Sequence, residues 1–283
     1  MSAEAGIATP TRRRESVWRQ PALVVGLVMI GVMVLIAVAA PLLTPYDPNA
    51  QDLSAGFLPP GGAHPLGTDQ LGRDIWARIA YGAATDVRIG VFGILLPATI
   101  GSVLGLVAGY FGGVADAIIG YLVDVVLTFP FYILALALVV FLGPGELSIY
   151  VALAAVAWVH YARLTRSVTL GLRQRPWVEA ARAGGLGHGR VIFRHILPNL
   201  WNQIVTLALS EVVFVILAVV TLSYLGLGVQ APTAEWGRMI SDGRQFLTTN
   251  WWVSVFPGLA VFWTGLGFAL LADGYADYRR VRL

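Results

Sequence analysis

The acids that sit within apolar sequence are few, and any proton chemistry in this chain would have to pass through them. Asp116 and Asp124 lie eight residues apart around the start of one hydrophobic run, within about 80° of each other on a helix, and Glu211 lies inside another run. A carboxylate is costly in hydrocarbon and must face protein, water or the interface. A proton relay needs a chain of partners, and none is visible beyond Glu211, so structural or interfacial roles are expected for Asp116 and Asp124. The four histidines, His64, His160, His188 and His195, show no metal-ligand spacing with one another or with a carboxylate. No Ser-His-Asp arrangement is suggested by position or context.

Two residue types are missing altogether. Without cysteine there is no disulfide, thiolate nucleophile or cysteine metal site. All nineteen basic residues are arginine, so there is no lysine for a Walker-type phosphate loop or a Schiff base. The chain therefore carries no orthodox ATPase site, and nothing in it looks like an enzyme active site. No bound cofactor or metal is expected, and any ATP that drives the protein is bound elsewhere.

The remaining concentration of polar chemistry is an arginine-rich, glycine-punctuated island, Glu179-Ala180-Ala181-Arg182-Ala183-Gly184-Gly185, continuing to His195-Ile196-Leu197-Pro198-Asn199. Pro176 can open a helix, and Glu179 in its first turn suits the helix dipole. Gly184, Gly185, Gly187 and Gly189 would end that helix and allow a sharp change of direction. Val191–Leu197 would then form a second short helix across the same face, with Pro198 near the start of the next apolar run. Connections in helical bundles are typically two to eight residues, so an insert of this length reads as a docking surface for a soluble partner.

The elements around the island are those of a membrane protein. Charged residues make up 12% of the chain and hydrophobic residues 57%, with mean hydropathy +0.72, against about 25% charge in an ordinary soluble domain. Six hydrophobic spans are predicted at 22–41, 87–110, 116–142, 147–165, 201–225 and 254–273, each near the length that crosses about 30 Å of hydrocarbon. The first span has no small-residue cleavage site behind it but Pro41, Pro45 and Pro48, so it is read as uncleaved. An N-terminus inside the cell puts Arg12, Arg13, Arg14, Arg19, Arg163, Arg166, Arg173, Arg175, Arg182, Arg190, Arg194, Arg279, Arg280 and Arg282 on the inner side, fourteen of nineteen. The positive-inside rule then places both termini and the loop 166–200 in the cytoplasm, and the loops 42–86 and 226–253 outside. The organisation that follows is a cytoplasmic tail 1–20, a first helix and external loop 21–86, a core transmembrane domain 87–273, and a cytoplasmic tail 274–283. Residues 73–86 look helical and are expected along the membrane surface. The net charge of +3, without a dense basic patch, gives no reason to expect nucleic acid.

The second span carries Gly101-x3-Gly105-x3-Gly109, followed by Gly112-Gly113. Glycines four apart share a helix face and make a groove where another backbone approaches closely. Packing within the bundle is the favoured reading, ahead of a pore lining.

Glu179-Ala180-Ala181-x3-Gly185, ending in Leu197-Pro198, resembles the EAA motif of permease subunits of ABC importers. Further segments resemble the C-type subunit of the dipeptide/oligopeptide/nickel permease group. They are His64–Asp74 (HPLGTDQLGRD), Ala108–Gly113, Asp124 with Phe129-Pro130, Arg194–Asn199, Leu225–Gly228, Trp236-Gly237 and Pro257–Ala260. The chain departs from that pattern at Tyr121, where an arginine is common, and at Val219, where an acid is common.

The resemblance implies an all-α polytopic protein, with six transmembrane helices in the type I ABC importer fold and a cytoplasmic coupling helix. It implies a bacterial cell-membrane location and several partners: a homologous second permease, two ATP-binding cassette ATPases that hold ATP and Mg, an external substrate-binding protein, and the lipid bilayer. Glu179, Ala180, Ala181, Gly185, Leu197 and Pro198 are then the ATPase-coupling residues. Peptides are the implied cargo, with nickel or another small solute as the alternative. An ion-coupled secondary transporter is a reading of a different class, and it would call for inverted repeats and mid-membrane charges on broken spans. No repeat is apparent. A membrane scaffold without transport would not need the island.

Overall fold

A computed structural model describes residues 20–280; the arginines expected in the N-terminal tail, and Arg282, lie outside the described residues. Apolar sequence in lipid must satisfy its backbone internally, and the described residues form helices with only isolated bridges in the loops. In chain order they are α1 (Pro21–Leu43), α2 (Ile75–Phe111), α3 (Gly113–Thr128), α4 (Phe131–Leu142), α5 (Glu146–Leu172), α6 (Pro176–Ala183), α7 (His188–Val191), α8 (Leu197–Tyr224), α9 (Trp236–Gly243) and α10 (Trp252–Arg280). Five helical stretches are long and apolar enough to cross a membrane, and the α3–α4 pair supplies a sixth span.

Three of these differ from the sequence expectations. The segment 73–86 is not a separate surface helix. It forms the first turns of α2, which runs 37 residues without a break, about 55 Å at 1.5 Å per residue. Asp74 starts the helix by accepting a hydrogen bond from Ala77 N at 2.6 Å. The span at 116–142 is broken, with α3 and α4 meeting at 92°. Pro130 has no N–H to continue a helix and pushes the residue before it out of the helical region; Phe129 accordingly has φ −92° and ψ 137°. Finally, α7 does not lie as a short separate helix. His188–Tyr224 is one helical stretch of 37 residues, with a π turn at Ile192–Ile196. Leu197 N donates to Ile192 O across that wide turn, which makes room for the ring of Pro198 in the following helix.

Small residues set the helix contacts. A Cβ on Gly101 would lie 2.1 Å from Trp158 O, one on Gly105 2.2 Å from Ala162 O, and one on Gly109 2.7 Å from Arg166 O. The three glycines thus lie against the α5 backbone along the last third of α2. A similar approach joins α1 to α10, where Gly26 faces Leu271 and Gly274 faces Leu23, and Trp263 Nε1 donates to Met29 O at 3.2 Å. Arg166 on α5 makes a two-pronged ion pair with Asp116 on α3.

The end of the bundle that carries the two long loops is a compact polar assembly. Thr68, fully buried, accepts from Leu58 N and donates to Ala55 O. Arg73 donates to Asp69 at 2.6 Å, and His64 Nδ1 lies 2.9 Å from Asp74. Arg78 donates to Pro48 O at 2.8 Å. Trp236 and Trp252 donate their indole N–H groups to Ile79 O and Thr68 O, tying α9 and α10 to α2 and the first loop. Glu235 caps α9 by accepting from Gly237 N and Arg238 N. Burial pushes its carboxyl up from the usual carboxylate range, and the two backbone N–H groups oppose that shift.

Candidate coupling site

The opposite end of the bundle is built around α6. Pro176 occupies its first turn, where the missing N–H costs nothing, and Glu179 sits near the positive end of the helix. The helix closes with Gly185 N donating to Arg182 O at 3.0 Å and Leu186 N donating to Ala181 O at 3.2 Å. This paired closure needs a left-handed residue, and Gly185 has φ +80°. A Cβ there would meet nothing within 4 Å, so backbone conformation rather than space demands glycine.

Val178 holds the helix down. It is fully buried, in a cluster with Leu106 and Tyr110 of α2, Val191 and Ile196 of the π-turn region, and Leu200 of α8. Ala181 and Leu186 pack on the same cluster. On the other side of α6, Glu179, Ala180, Arg182 and Ala183 are exposed, as is Gly185 beyond it. Trp177 lies 6.2 Å, ring to ring, from His195. Around this, Tyr110 Oη lies 2.9 Å from His188 Nδ1, and Arg173 donates to Gly109 O and Tyr110 O, placing a cation on the negative end of α2.

The six residues singled out in the loop therefore divide. Glu179, Ala180 and Gly185 present themselves outward, Ala181 packs beneath them, and Leu197 (half-buried) and Pro198 (exposed) begin α8 beyond the π turn. Gly101, Gly105 and Gly109 lead down α2 to Tyr110, which joins this cluster. Sequence reasoning passed over Val178, whose signal was an apolar residue three before Ala181, on the same face of the short helix. It also passed over His188, Tyr110 and Arg173, whose meeting depends on residues 63 to 78 apart.

Elsewhere, Asp116 and Glu211 belong to separate pairs rather than to one chain: Asp116 with Arg166, and Glu211 with His160 at 3.2 Å. His64 with Asp74 and His160 with Glu211 are imidazole–carboxylate contacts that spacing did not indicate. Among the described residues no group of three or more such side chains is placed to hold a metal ion. The arrangement at α6 offers a short amphipathic helix whose small-residue outer face carries one acid, Glu179, and one base, Arg182.

Residues 101–280 match the family described as binding-protein-dependent transport system inner membrane component, and residues 16–60 match the N-terminal transmembrane domain of oligopeptide transport permease C. The dipeptide transport system permease of Alkalihalophilus pseudofirmus is 41% identical over 90% of this chain and 84% of its own length. The nickel transport system permease of Escherichia coli is 41% identical over 89% and 91%. The glutathione transport system permease of Pectobacterium atrosepticum is 41% identical over 87% and 83%. With its apolar helical spans and α6 loop, the chain belongs to the binding-protein-dependent inner-membrane component family, as a multi-pass permease subunit of an ABC importer in the dipeptide, nickel and glutathione group, with the type I transmembrane fold.

Proposed function

We propose that this permease imports peptides, received from an external binding protein and driven by ATPase subunits that dock on α6. The observation that carries the docking is the two-sided build of that helix: Val178 is sealed into the bundle while Glu179 and Ala180 are left exposed. A helix with a buried root and a free polar face transmits a push into the elements it is rooted in, here α2 and α8. Glu179, Ala180, Ala181, Gly185, Leu197 and Pro198 are the coupling residues in this reading. ATP and Mg belong to the two ATPases, and a homologous second permease completes the membrane part. Closure of the ATPases on ATP moves the α6 helices, rocks the bundles and opens the path outward; hydrolysis returns it to face inward.

Peptide cargo is favoured by relatives named for dipeptide and D,D-dipeptide transport, at 41% and 39% identity. Nickel is the second reading, favoured by the nickel permease relative at 41% identity. Reconstitution with the ATPases and binding protein separates them. Peptide uptake that requires ATP is expected; uptake that persists without ATP, or follows a proton gradient, overturns the importer mechanism, and ATP-driven nickel uptake without peptide uptake overturns the cargo. Arginine placement supports cytoplasmic termini and a cytoplasmic α6. With Gln51 and Gly187, both exposed, replaced one at a time by cysteine, an impermeant thiol reagent added outside cells is expected to label position 51 only. The reverse pattern overturns the orientation.

A further inference from the structure

One imidazole–carboxylate contact lies halfway along two spans, away from α6 and from the long-loop assembly. His160 on α5 and Glu211 on α8 are each about 20 Å from either end of their helices at 1.5 Å per residue. His160 Nδ1 is 3.2 Å from Glu211 Oε1, and the two side chains are 37% and 17% exposed. Nδ1 itself is covered and faces Glu211 at ion-pair distance without hydrogen-bond geometry, so the exposure falls on the rest of the side chain, where Nε2 is the remaining polar atom.

The face of α5 that bears His160 changes character at that residue. Ile149, Leu153 and Val156, at spacings that share this face, are buried to 3% exposure or less. Below His160 the face continues with Arg163 and Ser167, which are exposed. On α8, Gln203 and Ser210, seven residues apart on one face, are exposed about 80–100° round the helix from Glu211. A polar face that begins at mid-depth and runs toward the α6 end is not one that hydrocarbon covers. Such a face lies against protein or water, and the imidazole stands at its mid-depth end.

Glu211 lies against the covered Nδ1 edge of the imidazole, and Arg163, a permanent cation, lies three residues along the same face of α5 and is exposed. With the ring protonated, both of its nitrogens are donors, two cations stand against one carboxylate, and the face favours an anion over a bare divalent cation. We propose that His160 and Arg163 form a carboxylate-binding station in the translocation path that takes the C-terminal carboxylate of a passing peptide, with Glu211 positioning the His160 ring. The inference rests on the peptide reading above and deepens it. A carboxylate is common to peptides whatever their side chains, so one such station serves a mixed cargo.

The test uses the complete importer in proteoliposomes, measuring peptide transported per ATP hydrolysed. R163Q and H160Q are expected to lower that ratio about tenfold, the worth of one charge-assisted hydrogen bond, while ATPase stimulation by the loaded binding protein persists. R163K keeps the cation and is expected to stay within about threefold of wild type; E211Q, acting through the ring, is expected to lose about threefold in the same ratio. In the wild-type importer, a peptide with a photoreactive C-terminal residue is expected to label α5 near 160–163, with the label lost in R163Q. An unchanged ratio in both R163Q and H160Q overturns the station, as does equal loss in R163K and R163Q, or α5 labelling from the N-terminal residue instead. A wild-type importer that moves nickel and no peptide fails the cargo reading before any variant is compared.

Discussion

The two ends of this bundle use polar residues in opposite ways. At the long-loop end, Thr68, Asp69, Arg73, Asp74, Arg78 and Glu235 are all 5% exposed or less, and each satisfies a neighbour in the same chain. At the α6 end, Glu179, Arg182 and Arg190 are exposed, and the loop is held by apolar contacts beneath Val178 and by a glycine turn. Buried polar networks specify a shape, and their members are costly to remove singly. Exposed charges on an anchored helix contribute little to that shape and remain free for another surface. The difference separates polar sequence spent on folding from polar sequence left exposed, which the proposed docking would use.

Substitutions can break that contrast in graded steps. The largest stability effect belongs to Asp69→Ala, which strands Arg73 in a buried site and is expected to cost about 3–5 kcal/mol, read as a large drop in unfolding temperature of the purified permease. A small drop there removes the long-loop end from the folding role. Val178→Ala should cost about 2 kcal/mol and raise protease cleavage within 174–190, with the spans still inserted; an unchanged cleavage rate means Val178 is not the anchor. Gly185→Ala forces a left-handed alanine, worth roughly 1–2 kcal/mol, and is expected to lower transport more than basal ATPase activity. Equal loss of both would indicate damage to assembly rather than to coupling. The smallest stability effect is that of Glu179→Arg, about 0.5 kcal/mol from the helix dipole, yet it should uncouple ATP turnover from transport or release the ATPases. Normal transport by that variant would remove α6 as the docking surface.

Much of this architecture was legible from residue order. Long apolar runs located the spans, three glycines at spacing four marked the face that meets α5, and Pro176 with Gly185 framed α6. What stayed hidden were partnerships between distant residues. Asp116 meets Arg166 across 50 positions and His160 meets Glu211 across 51, and periodicity assigns faces without saying which faces meet. The extension of α2 to Ile75 was missed for a related reason. Arg78 and Asp86 lower the hydropathy of that segment, although Arg78 is buried among loop residues that no local window includes. The break at Phe129-Pro130 had a local cause in the proline, but the apolar run continues through it and reads as one span.

The unbroken stretch from His188 to Tyr224 has a mechanical side. It begins under α6 and ends beside the long-loop assembly, about 55 Å away. A stiff rod of that length held near its middle moves its two ends by equal amounts in opposite senses, so a tilt of about 5° carries each end roughly 2 Å. The π turn at Ile192–Ile196 sits close to the α6 end, where a soft joint would absorb part of any push from that side before the shaft responds. How much travel reaches the far end is then set by the stiffness of five residues.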